Sequence, residues 1–196
     1  MISLCLDSSY KDYVVGVAED GVVLSFRQEE AWQRQSEMMI PAIEEVFKDE
    51  NINPKEVDEI IVTQGPGSYT GVRIALTIGK VYAKALDIPC YAMSSLMVLQ
   101  DISRPSICLM NARSGRSYIG VYDKSECLLK DQVMKNEDVL QYVKDHPEYV
   151  ICGDLDYLDI KGFECENIAF NMLELKKQSM KVENILALKA IYLSGN

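Results

Sequence analysis

The chain has 196 residues, of which 48% are hydrophobic and 26% charged, as in an ordinary soluble globular protein. Its formal net charge of -10 argues against tight, independent binding to a polyanion, because affinity for nucleic acids depends largely on Lys and Arg neutralising phosphates. No apolar run approaches the length of a membrane span, and the N-terminus lacks the features of a signal peptide. The composition therefore predicts a cytoplasmic protein of one large or two small domains.

Apolar patterning in the first half of the chain predicts the order β-β-β-α-β-α-β. Asp20-Gly21 favours a tight hairpin between the second and third strands, since both positions tolerate positive φ. Pro41 lies inside the first helix and is expected to kink it or loosen a turn. The predicted strands lie at 2–6, 13–18, 22–26, 60–62 and 89–93, and the helices at 32–48 and from the loop at 65–70 to about Leu86.

The second half of the chain repeats the order β-β-β-α-β. Strands are predicted at 107–110, 117–122, 127–134 and 149–152, and a helix at 137–144. After Gly153 the pattern weakens, although helices are still predicted near 172–177 and at 182–192. Two similar halves of this order are typical of the actin-like, Hsp70-like and sugar-kinase-like (ASKHA) α/β fold. We therefore predict two lobes, 1–100 and 101–196, with a reduced second lobe.

The most informative stretch is the loop that follows the fourth strand: Gly65, Pro66, Gly67, Ser68, Tyr69 and Thr70. Ser68 or Thr70 can cap the helix that follows it. The loop lacks the third glycine of a dinucleotide-binding turn and the Gly-Lys-Ser/Thr of a P-loop, and Pro66 removes a backbone donor. Its pattern favours a packing or docking role over phosphate binding.

The helix after this loop carries a ridge of small residues, Gly71, Ala75, Gly79 and Ala83. Apolar side chains cover most of its remaining circumference, which is typical of a helix buried on more than one side. Each interior glycine costs about 1 kcal/mol relative to alanine. We expect close approach of a helix from another molecule to offset that cost.

The sequence G-P-G-S-Y-T-G-V-R-I, from Gly65 to Ile74, resembles the signature of the TsaB family, also called YeaZ. The similarity extends more weakly over the whole chain. Asn111-Ala112-Arg113 resembles the family's D-A-R, with Asn111 in place of the usual acid. Residues 191–194 resemble the family's terminal Y-L-R without its arginine.

The resemblance implies a non-catalytic scaffold or activator subunit in the bacterial machinery that makes N6-threonylcarbamoyladenosine in tRNA, next to the anticodon. It implies a heterodimer with the catalytic subunit TsaD, a larger complex with a TsaE-type ATPase, and contact with tRNA only through that complex. A homodimer is expected in isolation. The predicted partner interface consists of Met38, Met39, Ala42, Ile43, Gly71, Arg73, Ala75, Leu76, Gly79, Lys80 and Ala83.

The ATPase relatives of this fold carry a D-x-G-x-T turn after the first strand. The corresponding turn here is Asp7-Ser8-Ser9, which lacks the glycine that lets backbone approach a phosphate. Asp7, Ser8 and Ser9 are weak candidates for a nucleotide site, and an Asp7 that bonds local backbone is the preferred interpretation. We predict no cofactor for this chain, with ATP used by the partner subunits.

One histidine, His146, is present, and it has no H-x-x-x-H partner for a metal. We interpret it as a surface residue between a helix and a strand. The six cysteines form no C-x-x-C pair and are interpreted as reduced and structural. Two alternatives stay open: a small ASKHA-type ATPase or kinase that uses Asp7, Ser8, Ser9 and the loop at 65–70, and a peptidase, against which the single histidine argues.

Overall fold

The computed structural model describes residues 1–31, 33–176 and 180–194. Its first sheet has the strand order β10-β5-β4-β1-β2-β3. Strands β1, β2 and β3 form an antiparallel meander, whereas β4 pairs parallel with both β1 and β5. The strands are β1 Ile2–Asp7, β2 Asp12–Glu19, β3 Val22–Glu30, β4 Val57–Thr63, β5 Cys90–Met93 and β10 Met180–Lys181.

Helices cover both faces of this sheet because alternate residues of its central strands point to opposite sides. Leu4 and Leu6 belong to the apolar cluster formed with α1 (Gln35–Asp49) and α2 (Tyr69–Leu86). Cys5, between them, belongs to the cluster on the other face, which includes α4 (Ile168–Leu175). The central strand β1 is thus buried on both sides.

The second sheet has the order β8-β7-β6-β9 and repeats the connectivity of the first. Its β6, β7 and β8 are antiparallel, and β9 pairs parallel with β6. The helix α3 packs on this sheet through Val139. The elements are β6 Ser106–Arg113, β7 Arg116–Asp123, β8 Glu126–Lys135, α3 Asn136–Asp145 and β9 Val150–Gly153.

The predicted order of elements up to β9 is confirmed, and most boundaries differ by only a few residues. Helix α1 runs through Pro41 without a break. The predicted start of α1 at Trp32 and the predicted end of α4 at Lys177 lie outside the described residues. None of the helices in the described ranges is long and apolar enough to span a membrane.

The last predicted helix, at 182–192, is wrong. This segment contains only a short 3-10 turn, Ile185–Ala187, after the two-residue strand β10. Outside that turn its backbone bonds to the first lobe: Val182 N donates to Cys90 O at 2.8 Å, and Ile191 N donates to Gln64 O at 2.7 Å. The apolar residues predicted to line a helix therefore pack along α2 in an extended strap, defined here as residues 182–194.

The strap also bears on the division of the chain into lobes. The second sheet begins at Ser106, close to the predicted division at residue 100. β10, however, adds to the first sheet beside β5. The lobe boundaries remain a prediction, with residues 180–194 attached to the first sheet.

Four of the six cysteines, Cys5, Cys90, Cys108 and Cys152, are buried, and all six are free. The interpretation of Cys5, Cys108 and Cys152 as small buried hydrophobes is confirmed. Cys127 on the edge strand β8 is exposed, so a packing role does not apply to it.

Candidate functional site

The turn between β1 and β2 is filled by the start of α2. Ser8 Oγ donates to Gly71 O at 2.7 Å and accepts from Ala75 N at 3.1 Å. Ser9 O accepts from Ser68 N at 2.7 Å. The turn that wraps phosphate in the ATPase relatives is therefore occupied here by the chain's own helix.

Two glycines make this close approach of helix and turn possible. A Cβ atom at Gly71 would lie 2.1 Å from Ser8 O, and one at Gly67 would lie 2.2 Å from Ser9 O. No side chain fits at those distances from a backbone oxygen. These contacts support the predicted packing role of the loop at 65–70.

Asp7 at the end of β1 is 3% exposed. It accepts hydrogen bonds from the Thr63 hydroxyl and, at 3.0 Å, from Ser9 N. Burial raises the pKa of Asp7, and these hydrogen bonds oppose the rise. The interpretation that Asp7 bonds local backbone is confirmed, and the candidate nucleotide residues Asp7, Ser8 and Ser9 are all buried by the chain itself.

The loop at 65–70 is also held from its other side. Gly65 exchanges hydrogen bonds with Ser95, through Ser95 N to Gly65 O at 2.9 Å and Gly65 N to Ser95 Oγ at 3.1 Å. Gly65 has a φ of +106°, and a Cβ there would lie 2.4 Å from Ile191 O in the strap. Ser68 caps α2 by accepting from Gly71 N at 3.2 Å. Ser95, the strap and the Ser8-Ser9 turn described above thus hold the start of α2 in place.

The small-residue ridge of α2 faces the chain's own sheet and not another molecule. A Cβ at Gly79 would lie 3.2 Å from Ile60 Cγ2 on β4, and Ala75 and Ala83 are buried in the same cluster. Small residues let the helix lie close to the sheet, which accounts for the interior glycines without a second protein. The expectation of a foreign helix on this ridge is wrong.

Most of the predicted partner interface is therefore misplaced. Eight of its residues are buried in the first lobe: Met39, Ala42, Ile43, Gly71, Ala75, Leu76, Gly79 and Ala83. Met38 and Lys80 are half-buried, and Arg73 is exposed. The apolar stripe of α1 and the ridge of α2 face the core, and composition does not distinguish such a buried stripe from a docking face.

The outward face of the two helices carries apolar side chains that the interface prediction omitted. Ile40 is 46% exposed on α1, and Tyr69 and Val81 are 62% and 61% exposed on α2. Spacing was an available indication, because 69, 73, 77 and 81 recur every four residues on the side opposite the ridge. A groove of about 440 Å³ between the helices is lined by Ser36, Ile40, Tyr69, Thr70, Arg73, Ile74, Thr77 and Ile78.

A larger cleft, of about 740 Å³, opens between the two lobes. Tyr10 and the loop at 65–70 form the side contributed by the first lobe. Asn111-Ala112-Arg113, at the end of β6, faces them from the second lobe. The two stretches that carry the family resemblance therefore meet across one cleft, although they are far apart in the sequence. Its lining comprises Tyr10, Gly67, Ser68, Tyr69, Thr70, Asn111, Ala112, Arg113, Tyr118, Asp154 and Tyr192.

His146 lies at the end of α3 and is half-buried, not freely exposed. Its Nδ1 is 2.9 Å from Tyr142 O, and its ring stacks between Tyr142 and Tyr149 at centroid distances of 4.1 and 5.4 Å. These contacts give it a role in ending the helix. Across residues 1–31, 33–176 and 180–194, no cluster of three or more His, Cys, Asp and Glu side chains is arranged to hold a metal ion.

The paired lobes, each with three antiparallel strands, a helix and a parallel strand, define an α/β protein of the ASKHA class. A family model described as "TsaD: tRNA N6-adenosine threonylcarbamoyltransferase" matches residues 26–162. The fold is also that of YeaZ from Pseudomonas aeruginosa, with a TM-score of 0.79 at 22% identity over 98% of this chain and 99% of that one.

Two curated relatives share the name tRNA threonylcarbamoyladenosine biosynthesis protein TsaB. The Bacillus subtilis (strain 168) protein is 35% identical over 147 residues, 71% of this chain and 62% of the relative. The protein from Buchnera aphidicola subsp. Schizaphis graminum is 26% identical over 169 residues, 78% of each chain. The chain belongs to the TsaB (YeaZ) family, and the matched region spans just under two thirds of the Bacillus protein.

Proposed function

We propose that this chain is a non-catalytic subunit of the complex that forms N6-threonylcarbamoyladenosine in tRNA, and that it acts by dimerising with a TsaD-type catalytic subunit. The observation that carries the proposal is the exposed apolar groove between α1 and α2, in a chain whose phosphate turn is filled. The shared name of the curated relatives supports the pathway. A TsaE-type ATPase completes the complex, and the cytoplasmic location remains a prediction.

The chemistry of the described residues favours a non-catalytic role for this chain. The family resemblance assigns the metal of TsaD to a histidine pair, whereas this chain has one histidine, which ends α3. Ser8 and Ser9 lie beneath α2, so the backbone that would wrap a phosphate is engaged with Gly71 and Ser68. These residues hold a helix in position instead of a substrate.

The exposed groove supports the docking role because large apolar side chains at a surface typically mark an interaction site. Ile40, Tyr69 and Val81 lie on two adjacent helices and present side chains about half or more exposed. An apolar centre beside an arginine is typical of a protein interface, and Arg73 occupies that position. The interface that we propose is therefore the outward face of α1 and α2. Of the residues that the sequence predicts for the interface, it retains Arg73.

The test is co-purification with the TsaD-type protein of the same cell. Ile40→Glu places a charge in the groove, and Val81→Glu places one beyond it on the same outward face of α2, both at exposed positions. We expect each to abolish the complex and formation of the modified nucleoside. Leu128→Glu is the matched control, because Leu128 is 43% exposed on β8 in the other lobe. Retention of the complex by both variants would show that the interface lies elsewhere.

Gly79→Leu is unsuitable for this test. The side chain would enter the contact with Ile60 on β4, so loss of the complex would follow from a disturbed core. Unfolding curves of Ile40→Glu and Val81→Glu should instead match that of the natural chain, because both positions face outward.

The same groove face can pair with itself about a two-fold axis, and we propose this as the homodimer of the isolated chain. Light scattering should then find a dimer that becomes a monomer in Ile40→Glu. The alternative of a small ATPase or kinase gains no support from the buried Asp7. Calorimetry with Mg-ATP checks it, since turnover by the chain alone would favour that alternative.

A further inference from the structure

The C-terminal end of the strap lies against Tyr69, the first residue of α2. Tyr69 lines the groove of the proposed docking face and is 62% exposed. Side chains on a helix lean toward its N-terminus, so a side chain at the first position extends beyond the helix and has no earlier turn to pack on. The Tyr69 ring therefore needs contacts from elsewhere to hold one position.

Tyr192 and Arg73 hold the Tyr69 ring and leave most of it exposed. The ring of Tyr192 in the strap stacks on that of Tyr69, with centroids 5.0 Å apart and an interplanar angle of 26°, within the range of favourable aromatic pairs. From the next turn of α2, Arg73 donates to the Tyr69 hydroxyl at 2.8 Å, and its guanidinium lies 5.3 Å from the ring centre. The Tyr192 hydroxyl donates to Tyr69 O at 3.4 Å, a long bond that adds little to the stack.

The backbone just before Tyr192 is anchored to the first lobe, so the fold sets the position of the Tyr192 ring. Ile191 N donates to Gln64 O at 2.7 Å. Ile191 O occupies space beside Gly65, where a Cβ would lie only 2.4 Å from it. The Leu188 side chain packs on the core of the first lobe. The strap thus carries one aromatic ring to Tyr69 and holds it there.

The stack of Tyr69 and Tyr192 contributes to binding more than to folding, because both rings remain largely in solvent. They are 62% and 48% exposed, so the stack removes little apolar surface from water. Association with a partner, in contrast, costs free energy for each flexible side chain that becomes immobilised at the interface. An exposed tyrosine that is already held, beside an arginine, has the features of a residue that contributes strongly to affinity.

Blocking of the groove by the strap is the less favoured alternative. Tyr192 lines the neighbouring cleft, whereas the groove is lined by residues of α1 and α2. The stack also leaves more than half of the Tyr69 side chain open to a partner. Removal of the Tyr192 ring should therefore weaken docking, whereas removal of a blocking residue would strengthen it.

We propose that Tyr192 is a positioning residue for the docking face: it holds the Tyr69 ring in the orientation in which a TsaD-type partner receives it. The inference deepens the proposed function and rests on it for the identity of the partner. It gives the strap a part in forming the complex, in addition to the outward face of α1 and α2.

The first measurement is fluorine NMR of the isolated full chain labelled with fluorotyrosine, in the Ile40→Glu background so that pairing of the groove face does not contribute. The resonance of Tyr69 is the one that disappears in Tyr69→Leu. Tyr192→Ala should move this resonance toward that of an unstructured tyrosine, because the ring loses its stacked neighbour, and Tyr192→Phe should leave it close to its original position. Leu186→Ala is the control, because Leu186 is 66% exposed in the same strap but borders the C-terminal end of α2.

The second measurement titrates the TsaD-type protein of the same cell onto each variant, with Ile40 restored and the chain dilute enough to be monomeric. Tyr192→Ala should weaken the complex about fivefold, whereas Tyr192→Phe and Leu186→Ala should stay within about twofold of the natural chain. The loss caused by Tyr192→Ala should disappear in the Tyr69→Leu background, since a residue that acts through the Tyr69 ring has no further effect once that ring is absent.

Several results would overturn the positioning role of Tyr192. A Tyr69 resonance that does not respond to Tyr192→Ala would do so, as would unchanged or tighter binding by that variant. An equal loss in both backgrounds would mean that Tyr192 contacts the partner directly, and early thermal unfolding of Tyr192→Ala would assign the stack to folding instead. Failure of the natural chain to bind the TsaD-type protein would overturn the proposed function together with this inference, whereas normal binding by Tyr192→Ala would overturn this inference alone.

Discussion

The two faces of helix α2 carry side chains of opposite size. The inward face carries Gly71, Ala75 and Gly79 against the sheet and the Ser8-Ser9 turn. The outward face carries Tyr69, Arg73 and Val81, all exposed. Absence of side chains therefore marks the face that packs within the chain, whereas the face available to a partner is the one with large side chains.

The inward face has little room for larger side chains, because backbone oxygens and strand side chains lie at van der Waals distance from it. The outward face makes few contacts within the chain beyond the stacking of Tyr69 on Tyr192, so substitutions there should alter binding more than folding. Four substitutions test this contrast, in order of decreasing expected effect on stability.

Gly71→Ala should lower the free energy of unfolding by about 3 kcal/mol, because the new Cβ would lie 2.1 Å from Ser8 O. Urea denaturation measures the change. Two controls sharpen the comparison: Gly79→Ala, whose Cβ meets a side-chain methyl at 3.2 Å, and Thr77→Ala on the outward face. Thr77→Ala should stay within about 0.5 kcal/mol of the natural chain. Gly79→Ala should cost clearly less than Gly71→Ala, because its neighbour is a side-chain methyl and alanine favours the helix by about 1 kcal/mol. An equally mild Gly71→Ala would remove the distinction between the faces.

Ser8→Ala should cost about 2 kcal/mol, since the buried hydroxyl bonds Gly71 O and Ala75 N together. Chemical denaturation is again the measurement. Ser36→Ala, at an exposed position on α1, provides the control and should be nearly neutral. A neutral Ser8→Ala would mean that the turn does not support α2.

Lys80→Met should cost about 1 kcal/mol and release the strap, because the ammonium group donates to Leu186 O at 3.2 Å and Leu188 O at 3.0 Å. Hydrogen exchange should speed up at 182–192 and remain unchanged in β1. Lys84→Met, an exposed lysine on the same helix, should leave exchange in the strap unaltered. Unchanged exchange in Lys80→Met would show that the strap is held by its apolar contacts alone.

Asp7→Asn should produce the smallest change, and one that depends on pH. Burial raises the pKa of Asp7 above 3.8, so the folded chain holds the proton more tightly than the unfolded chain does. The stabilisation is full below the unfolded pKa and is lost as pH rises through the folded one. The variant cannot titrate, so its stability relative to the natural chain should increase from acid to neutral pH. Unfolding curves across that range check the sign, and a decrease would contradict it.

The local elements were predictable because each depends on neighbours in the sequence. Alternation in β1 and the capping residue Ser68 each set local structure directly. The loop at 65–70 could be assigned to packing because it lacks the third glycine of a dinucleotide-binding turn and because Pro66 removes a backbone donor. The strap at 182–194 could not be predicted, because its apolar spacing suits a helix while its backbone partners, Cys90 and Gln64, are distant in the sequence.

The interface prediction shows the same limit. A stripe of Ala and Gly indicates that another element packs closely against the helix. Which element that is depends on the rest of the fold. Ile60 on β4 and Ser8 after β1 occupy the place assigned to a foreign helix.

The sequence by itself determined the order of the elements up to β9, the ASKHA class and the family, since these depend on local periodicity and on a contiguous motif. Only the tertiary structure decided which side of α2 is free, that the C-terminal segment is extended, and that Arg113 and Tyr69 face one cleft. Those features are set by contacts between residues far apart along the chain, and such contacts exist only once both sheets have formed.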